Sequence, residues 1–485
     1  MKLKRELGLF SSVAILAGIM IGSGIYFFSM LVLGLASNSL GLSLVAWVVG
    51  GILTLFSALT YAELGTLFPK TGGYYVYLKK AFGPRLAFLS GITNFFLSSS
   101  GSVALLALLF AQALGFMLSA PFDGVTTAII AIVVILVLSL INYLGVRYGK
   151  LVQNIFFIAK LLPLFIVIFY GLFFGTQTDI FASNGAENVE LGLLMSGLLF
   201  AVARTLFAYE GWTNLNNVVE EMKDAQRDLP KALTIAVLLV MSVYVLFVIG
   251  LYRILDLSTL TAAAEGALSA GFDVTAIFGA FGTIFADFAD ALSLIVFGAI
   301  VISIFGALNG SILSFPRVYY AMAQDETMPS MFGKIDKKFG TPWVAIVGQT
   351  IVSIVIVLLG YDNVNYLLTF VLFGGLIFNT LIFASIFMFR KTMKETKRTY
   401  KVWGYPYVPA FAIAGMVILL VVTLINSFEP TVIGIFVLLI GNGVYDVFMD
   451  KKHLQATDRK PPVATAPVVQ TTRKTTTKKT TTKKK

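Results

Sequence analysis

The stretch LFSSVAILAGIMIGSGIYFFSMLVLGL, Leu9 to Leu35, carries no charge and is long enough for an α-helix to cross a bilayer. Its centre is Ile21-Gly22-Ser23-Gly24-Ile25, two glycines and a serine where an unbroken helix is least well supported. A second interruption, Phe207-Ala208-Tyr209-Glu210-Gly211-Trp212, lies in the sixth apolar segment. Bare peptide groups in hydrocarbon cost several kcal/mol each, so such breaks persist only where they line a polar cavity. Two interrupted spans in corresponding places of two halves point to a transporter's binding site.

Composition fixes the class. Apolar residues make up 58% of the 485 and charged residues 13%, about half the charged fraction of a soluble domain. The chain therefore reads as an all-α polytopic membrane protein. Cysteine is absent, which removes disulfides, disulfide-linked partners and thiolate metal sites. The single histidine, His453, follows the last apolar segment, so no histidine zinc site or proton relay is expected within the spans. No metal and no cofactor is expected.

The net charge of +11 is local: residues 451–485 hold eleven Lys or Arg and one Asp, +10, leaving +1 for the rest. A basic tail gives no support for nucleic-acid binding by the body. The tail repeats Thr and Lys without apolar periodicity and is expected to be disordered and solvated. Attraction to anionic lipid headgroups is its other reading.

Apolar segments after the first fall at about Leu42–Leu64, Leu86–Leu118, Val125–Leu144, Leu151–Phe174, Leu191–Val219 and Leu233–Leu255. They continue at about Leu292–Met322, Val344–Leu359, Tyr366–Phe389, Val408–Asn426 and Val432–Phe448. That makes about 12 transmembrane helices. The basic stretch before Leu9 could open a signal peptide. The run behind it is too long and lacks a cleavage site, so an uncleaved first helix is expected. Lys and Arg crowd alternate connections: Lys70 to Arg85, Arg147 and Lys150, Lys223 to Lys231, Lys334 to Lys338, and Arg390 to Arg398. Asp123, Asp179, Asp256, Asp362 and Glu429 mark the others. The positive-inside rule then puts both termini in the cytoplasm. The polar segment from Pro69 to Pro84, with Tyr74, Tyr75 and Tyr77, reads as an interfacial helix after a glycine turn. Phe272 to Ala289 reads as an external re-entrant or capping loop.

A broken helix offers two half-helix ends. The N–H groups after Ser23 suit a carboxylate; the carbonyls of Ile19, Met20 and Ile21 suit an ammonium. The second break adds the carbonyls of Phe207 and Ala208, and Phe207 and Tyr209 can close over a side chain. An α-amino acid carries both charged groups about one bond apart. Helix packing through small residues is the competing account of the first break alone. Lys160 lies about nine residues, or about 14 Å, into the fifth span. A charge so deep costs about 3 kcal/mol or more and marks a functional position unless it snorkels.

Ile21-Gly22-Ser23-Gly24-Ile25-Tyr26 resembles the first-helix signature of the amino acid–polyamine–organocation (APC) superfamily. Phe207 to Trp212, followed by Asn216 and Glu220-Glu221, is similar to the sixth-helix signature of its L-amino acid transporter branch, whose bacterial members include serine/threonine and alanine-serine-cysteine exchangers. Tyr61-Ala62-Glu63, Thr71-Gly72-Gly73 and Asn309-Gly310 through Ala323 match as well. The resemblance covers about Gly8 to Trp343.

The resemblance implies a 5+5 inverted repeat with broken helices 1 and 6, repeats at 9–175 and 190–390, two peripheral helices at 406–450, and residues 1–8 and 451–485 as cytoplasmic ends. It implies alternating access in the cell membrane of a bacterium, with amino acid substrates. Carried over by position, Ser23 and Gly24 meet the carboxylate while Met20, Phe207 and Ala208 meet the ammonium. Ile21, Gly22, Tyr209 and Glu210 complete the binding stretch, and Phe207 is the gate. Lys160 takes the place of sodium in sodium-coupled relatives, with Tyr244 as a hydrogen-bonding neighbour. Glu210 stands where the family shows Gly or an acid; it either selects polar or cationic substrates or holds the loop. Arg204 departs from the family, and an ion pair with Glu210 is one account of it. Sodium-independent exchange of small or medium neutral L-amino acids is the expected activity. Proton-coupled symport and a cationic amino acid or polyamine carrier stay open. A channel lacks repeated polar faces here, and an intramembrane enzyme lacks a nucleophile and base with motif support.

Overall fold

A computed structural model describes residues 5–22, 24–118, 120–184, 186–269, 289–360, 364–426 and 428–448. Ser23, most of the expected external stretch from Phe272 and the whole basic tail lie outside the described residues. The described chain is helical, with isolated bridges in place of strands. α1 (Leu9–Met20) and α2 (Gly24–Leu35) form the first span, bent by 42° at the break. α3 (Leu40–Leu67) starts where the Ser39 hydroxyl accepts the Leu42 N–H, 3.4 Å. α4 (Tyr74–Phe82) is short. α5 (Pro84–Thr93), a π-turn (Asn94–Ser98) and α6 (Ser99–Met117) run on as one span.

Asp123 caps α7 (Gly124–Tyr143) by accepting the Thr126 N–H at 3.0 Å. α8 (Val146–Phe174) buries Gln153, Phe157, Lys160, Leu164, Ile168 and Gly171, a stripe at helical spacing. Ile158, Leu162, Phe169 and Phe173 on its other face are exposed, as a lipid-facing surface requires. α9 (Leu191–Ala208) gives way to a 3-10 helix, Trp212–Glu221. α10 (Ala225–Ile254) is capped by Asp224, and α11 (Leu257–Ser269) follows. α12 (Ala289–Ser314), α13 (Pro316–Gln324), α14 (Trp343–Gly360), α15 (Val364–Thr392), α16 (Tyr407–Asn426) and α17 (Phe428–Phe448) complete the chain.

Helices lie at each of the twelve expected segments. Among the described residues, eight helices are long and apolar enough to cross a membrane, and the bent pair makes a ninth. α15, α16 and α17, of 29, 20 and 21 residues, occupy the last three expected positions. The segment expected to lie on the membrane surface is a helix, but Tyr74, Tyr75, Tyr77 and Leu78 are buried within the protein. Its aromatics pack under the neighbouring spans: Tyr77 meets Tyr61 edge-on, at 5.3 Å between ring centroids.

α1 lies against α8, α10 and α12, while α2 meets α9 and α11. Close crossings rest on small residues. A Cβ on Gly171 of α8 would lie 2.4 Å from the Gly250 Cα of α10, so backbone touches backbone there. The basic connections gather at one end. Glu6 and Leu7 N–H both bond Glu221 O at 2.9 Å, Lys223 N–H returns to Leu7 O at 2.8 Å, and the Lys150 ammonium reaches Glu6 O at 3.2 Å. At the same end Arg317 holds Glu221 at 2.8 Å, with both side chains fully buried. Glu63 accepts from Arg390 and the Val402 N–H, each at 2.7 Å, and pairs by charge with Arg398 at 3.2 Å.

Candidate functional site

α1 stops because Ile21 leaves the helical region, at φ −76° and ψ 81°. The last carbonyls of a helix have no intrahelical partner, and at α1 they are met from outside. The Lys160 ammonium donates to Gly18 O and Ile21 O, both at 2.6 Å, and to Ser303 O at 3.1 Å. The Ser303 hydroxyl lies 2.9 Å from Ile21 O and 3.1 Å from Gly22 O. The Tyr244 hydroxyl donates to Met20 O at 2.8 Å. A cation at the C-terminal end of a half-helix also opposes the negative pole of its dipole.

α9 ends at Ala208. Tyr209 N–H still reaches Thr205 O and Glu210 N–H reaches Phe207 O, each at 3.0 Å. Gly211 then takes φ 117°, a conformation that glycine adopts without a Cβ penalty. The Ala208 carbonyl lies 3.2 Å from the same Tyr244 hydroxyl, so one side chain bridges both breaks.

The breaks touch directly. A Cβ on Gly24 would lie 2.9 Å from Ala208 Cα, and one on Gly211 would lie 2.7 Å from Ile19 Cγ2. Glycine is needed at both crossings. Ile21, Gly22, Ala208 and Tyr209 are buried, Gly24 and Phe207 are half-buried, and Glu210 is exposed. Phe207 stands edge-on to Phe28 at 5.2 Å. Just beyond the second break, Trp212 stacks on Phe383 at 5.7 Å and meets Tyr61 edge-on at 5.2 Å.

The structure thus brings together Met20, Ile21, Gly22, Gly24, Phe207, Ala208, Tyr209, Glu210, Lys160 and Tyr244. Tyr244 does not pair with Lys160 as expected. The three ammonium protons already have three carbonyl acceptors, which exhausts the donor set of a lysine, and Tyr244 bonds the neighbouring carbonyls instead. Arg204 is half-buried one turn before Ala208. Sequence reasoning missed Ser303, whose signal is a hydroxyl at mid-depth of an apolar span. It also missed Trp47, whose backbone carbonyl accepts from the Tyr209 hydroxyl at 3.1 Å. Among the described residues no three His, Cys, Asp or Glu side chains cluster as metal ligands would.

Two broken helices meeting through their backbones are the architecture that the sequence signatures implied, and the family model for amino acid permeases matches residues 7–444. The chain belongs to the amino acid permease family. It is similar to the serine/threonine exchanger SteT of Bacillus subtilis, 35% identical over 446 residues, covering 91% of this chain and 96% of SteT. It is similar to the human b(0,+)-type amino acid transporter 1, at 31% over 408 residues, 82% of this chain and 79% of that protein. The human large neutral amino acids transporter small subunit 2 is 32% identical over 376 residues, 75% and 66% of the two chains. This permease is a multi-pass membrane transporter of amino acids and not an enzyme.

Proposed function

We propose that this permease exchanges small and medium neutral L-amino acids, serine, threonine, alanine and glycine among them, without sodium. It works by alternating access in a bacterial cell membrane with both termini in the cytoplasm, its repeats spanning 9–175 and 190–390, with 406–450 peripheral. The observation that carries this reading is the meeting of two half-helix ends at Gly24, Ala208, Ile19 and Gly211. The first N–H groups of α2, with those of Ser23 and Gly24, take the substrate carboxylate. Met20 O accepts from Tyr244 and from Gly22 N–H, Phe207 O accepts from Glu210 N–H, and Ala208 O lies 3.2 Å from the Tyr244 hydroxyl. The ammonium falls to the carbonyls of Met20, Phe207 and Ala208, with Phe207 closing over the side chain. The Lys160 ammonium supplies a fixed positive charge among carbonyls that would otherwise suit a monovalent cation, which supports sodium independence. The bacterial relative SteT is a serine/threonine exchanger by name, which supports the substrate class.

The exposed Glu210 carboxylate beside the second break favours a second reading, in which cationic amino acids are also carried. Uptake of a panel of labelled amino acids into proteoliposomes decides. Dependence on internal amino acid and indifference to sodium are expected. Accumulation driven by a pH gradient alone would replace exchange with symport, and uptake of lysine or arginine that is lost in Glu210→Gln would establish the second reading.

A further inference from the structure

Tyr209 sits at the second break, yet its surroundings are not those of a substrate contact. Its side chain is fully buried. Its ring lies 5.0 Å from that of Tyr244 and edge-on to Trp47 at 6.0 Å, and Trp47 stands edge-on to Tyr244 at 5.6 Å. Its hydroxyl is committed to Trp47 O at 3.1 Å. One turn earlier on the same face of α9, the Thr205 hydroxyl shares its one proton between Val202 O of its own helix, at 2.8 Å, and the adjacent carbonyl of α3, Ala46 O, at 3.2 Å. Two hydroxyls four residues apart thus reach two successive carbonyls of α3. Gly50 of α3 makes the approach possible: a Cβ there would collide with Thr205 Oγ1 and lie 3.6 Å from Tyr209 Cε2.

We propose that Thr205 and Tyr209 are positioning residues, a hydroxyl staple that fixes the free end of α9 to α3. The inference rests on the carrier reading above. The final turn of a helix frays because its carbonyls lack internal partners, and Ala208 and Phe207 lie in that turn. With Thr205 and Tyr209 tied to α3, the intervening Leu206, Phe207 and Ala208 are held at both sides. The Tyr209 ring also backs the Tyr244 ring, whose hydroxyl joins Met20 O to Ala208 O. The staple acts on the carbonyls that meet the ammonium every α-amino acid shares, and neither hydroxyl has a proton left for a substrate side chain.

The test is exchange kinetics in proteoliposomes for Tyr209→Phe, Thr205→Val and Thr205→Ser, with alanine, serine, threonine and leucine as substrates. Protein yield and Tm are measured alongside. Loss of one neutral hydrogen bond corresponds to a weakening of about fivefold. Tyr209→Phe and Thr205→Val are each expected to raise KM by about that factor for every substrate alike, with kcat and Tm little changed. Thr205→Ser keeps the hydroxyl and restores the original KM. An unchanged KM in both hydroxyl-deleting variants overturns the proposal. So does a factor that differs between serine and alanine, since that means direct contact with the substrate. A fall in yield and Tm without any change of KM assigns the staple to stability alone and also overturns it. Should Tyr209→Phe fail to fold, the Thr205→Val and Thr205→Ser pair carries the same contrast. If the unaltered chain moves no amino acid, the carrier reading falls and takes this one with it; transport with unchanged variants removes only the staple.

Discussion

At the first break Lys160, Ser303 and Tyr244, from α8, α12 and α10, reach the carbonyls of Gly18, Met20, Ile21 and Gly22. At the second, Tyr244 reaches Ala208 O, and the chain repairs much of the rest by itself. It turns at Gly211 and continues as a 3-10 helix whose carbonyls bond locally. One break is held by a remote charge and the other by neutral hydroxyls together with its own backbone. The difference matters for movement. A break braced by three other helices reports their positions, whereas the second follows α3 and α10 alone.

Removing the remote charge tests this most severely. Lys160→Ala takes away three bonds from a cation, each of the kind worth about 1.5–3 kcal/mol, and leaves Gly18 O without that partner. Turnover in proteoliposome exchange is expected to drop by about two orders of magnitude, while membrane abundance measured by immunoblot falls far less. Unaltered turnover would dissolve the contrast between the breaks. Gly211→Ala attacks the other side. The substitution strains a φ of 117° and sets a methyl 2.7 Å from Ile19 Cγ2. A loss of about 1–3 kcal/mol is expected, read as a lower Tm, with transport falling in proportion to folded protein. Tyr244→Phe affects both breaks at once. Its ring is kept, so KM is expected to rise about fivefold to tenfold with Tm little changed.

A control belongs far from either break. Asp336 accepts the N–H groups of Lys338 and Phe339, each at 2.8 Å, and these bonds hold its carboxyl below the usual carboxylate range. A lowered folded pKa gives stability that is full above the unfolded value and is lost as pH falls through the folded one. The Tm difference between the unaltered chain and Asp336→Asn should therefore be small at neutral pH and shrink further below about pH 4. The substitution should leave KM unchanged.

Much of this was legible in advance because breaking a helix in hydrocarbon needs residues that announce themselves. Gly22 and Gly24 marked the first break, Gly211 the second, and Lys160 stood out as a charge at depth. Ser303 and Trp47 gave no comparable signal. A serine is ordinary in a membrane helix, and Trp47 contributes through a carbonyl that every residue possesses. The three tyrosines of α4 misled for a related reason. Amphipathic rings suit a membrane surface and a protein interior equally, and only the packing of α4 beneath its neighbours decides between them. The Tyr244 partner was expected to be Lys160 and is the Met20 carbonyl instead, since no spacing in the chain counts the protons of a distant lysine.

The parallel pairing of residue 7 with residue 222 has a consequence for gating. Main-chain bonds join the segment that leads into the first half-helix to the end of the 3-10 helix. Opening a passage at that pole must either unzip those bonds or swing both half-helices outward as one rigid blade. In the second case a label before Leu9 and another near Met222 keep a constant separation throughout the transport cycle.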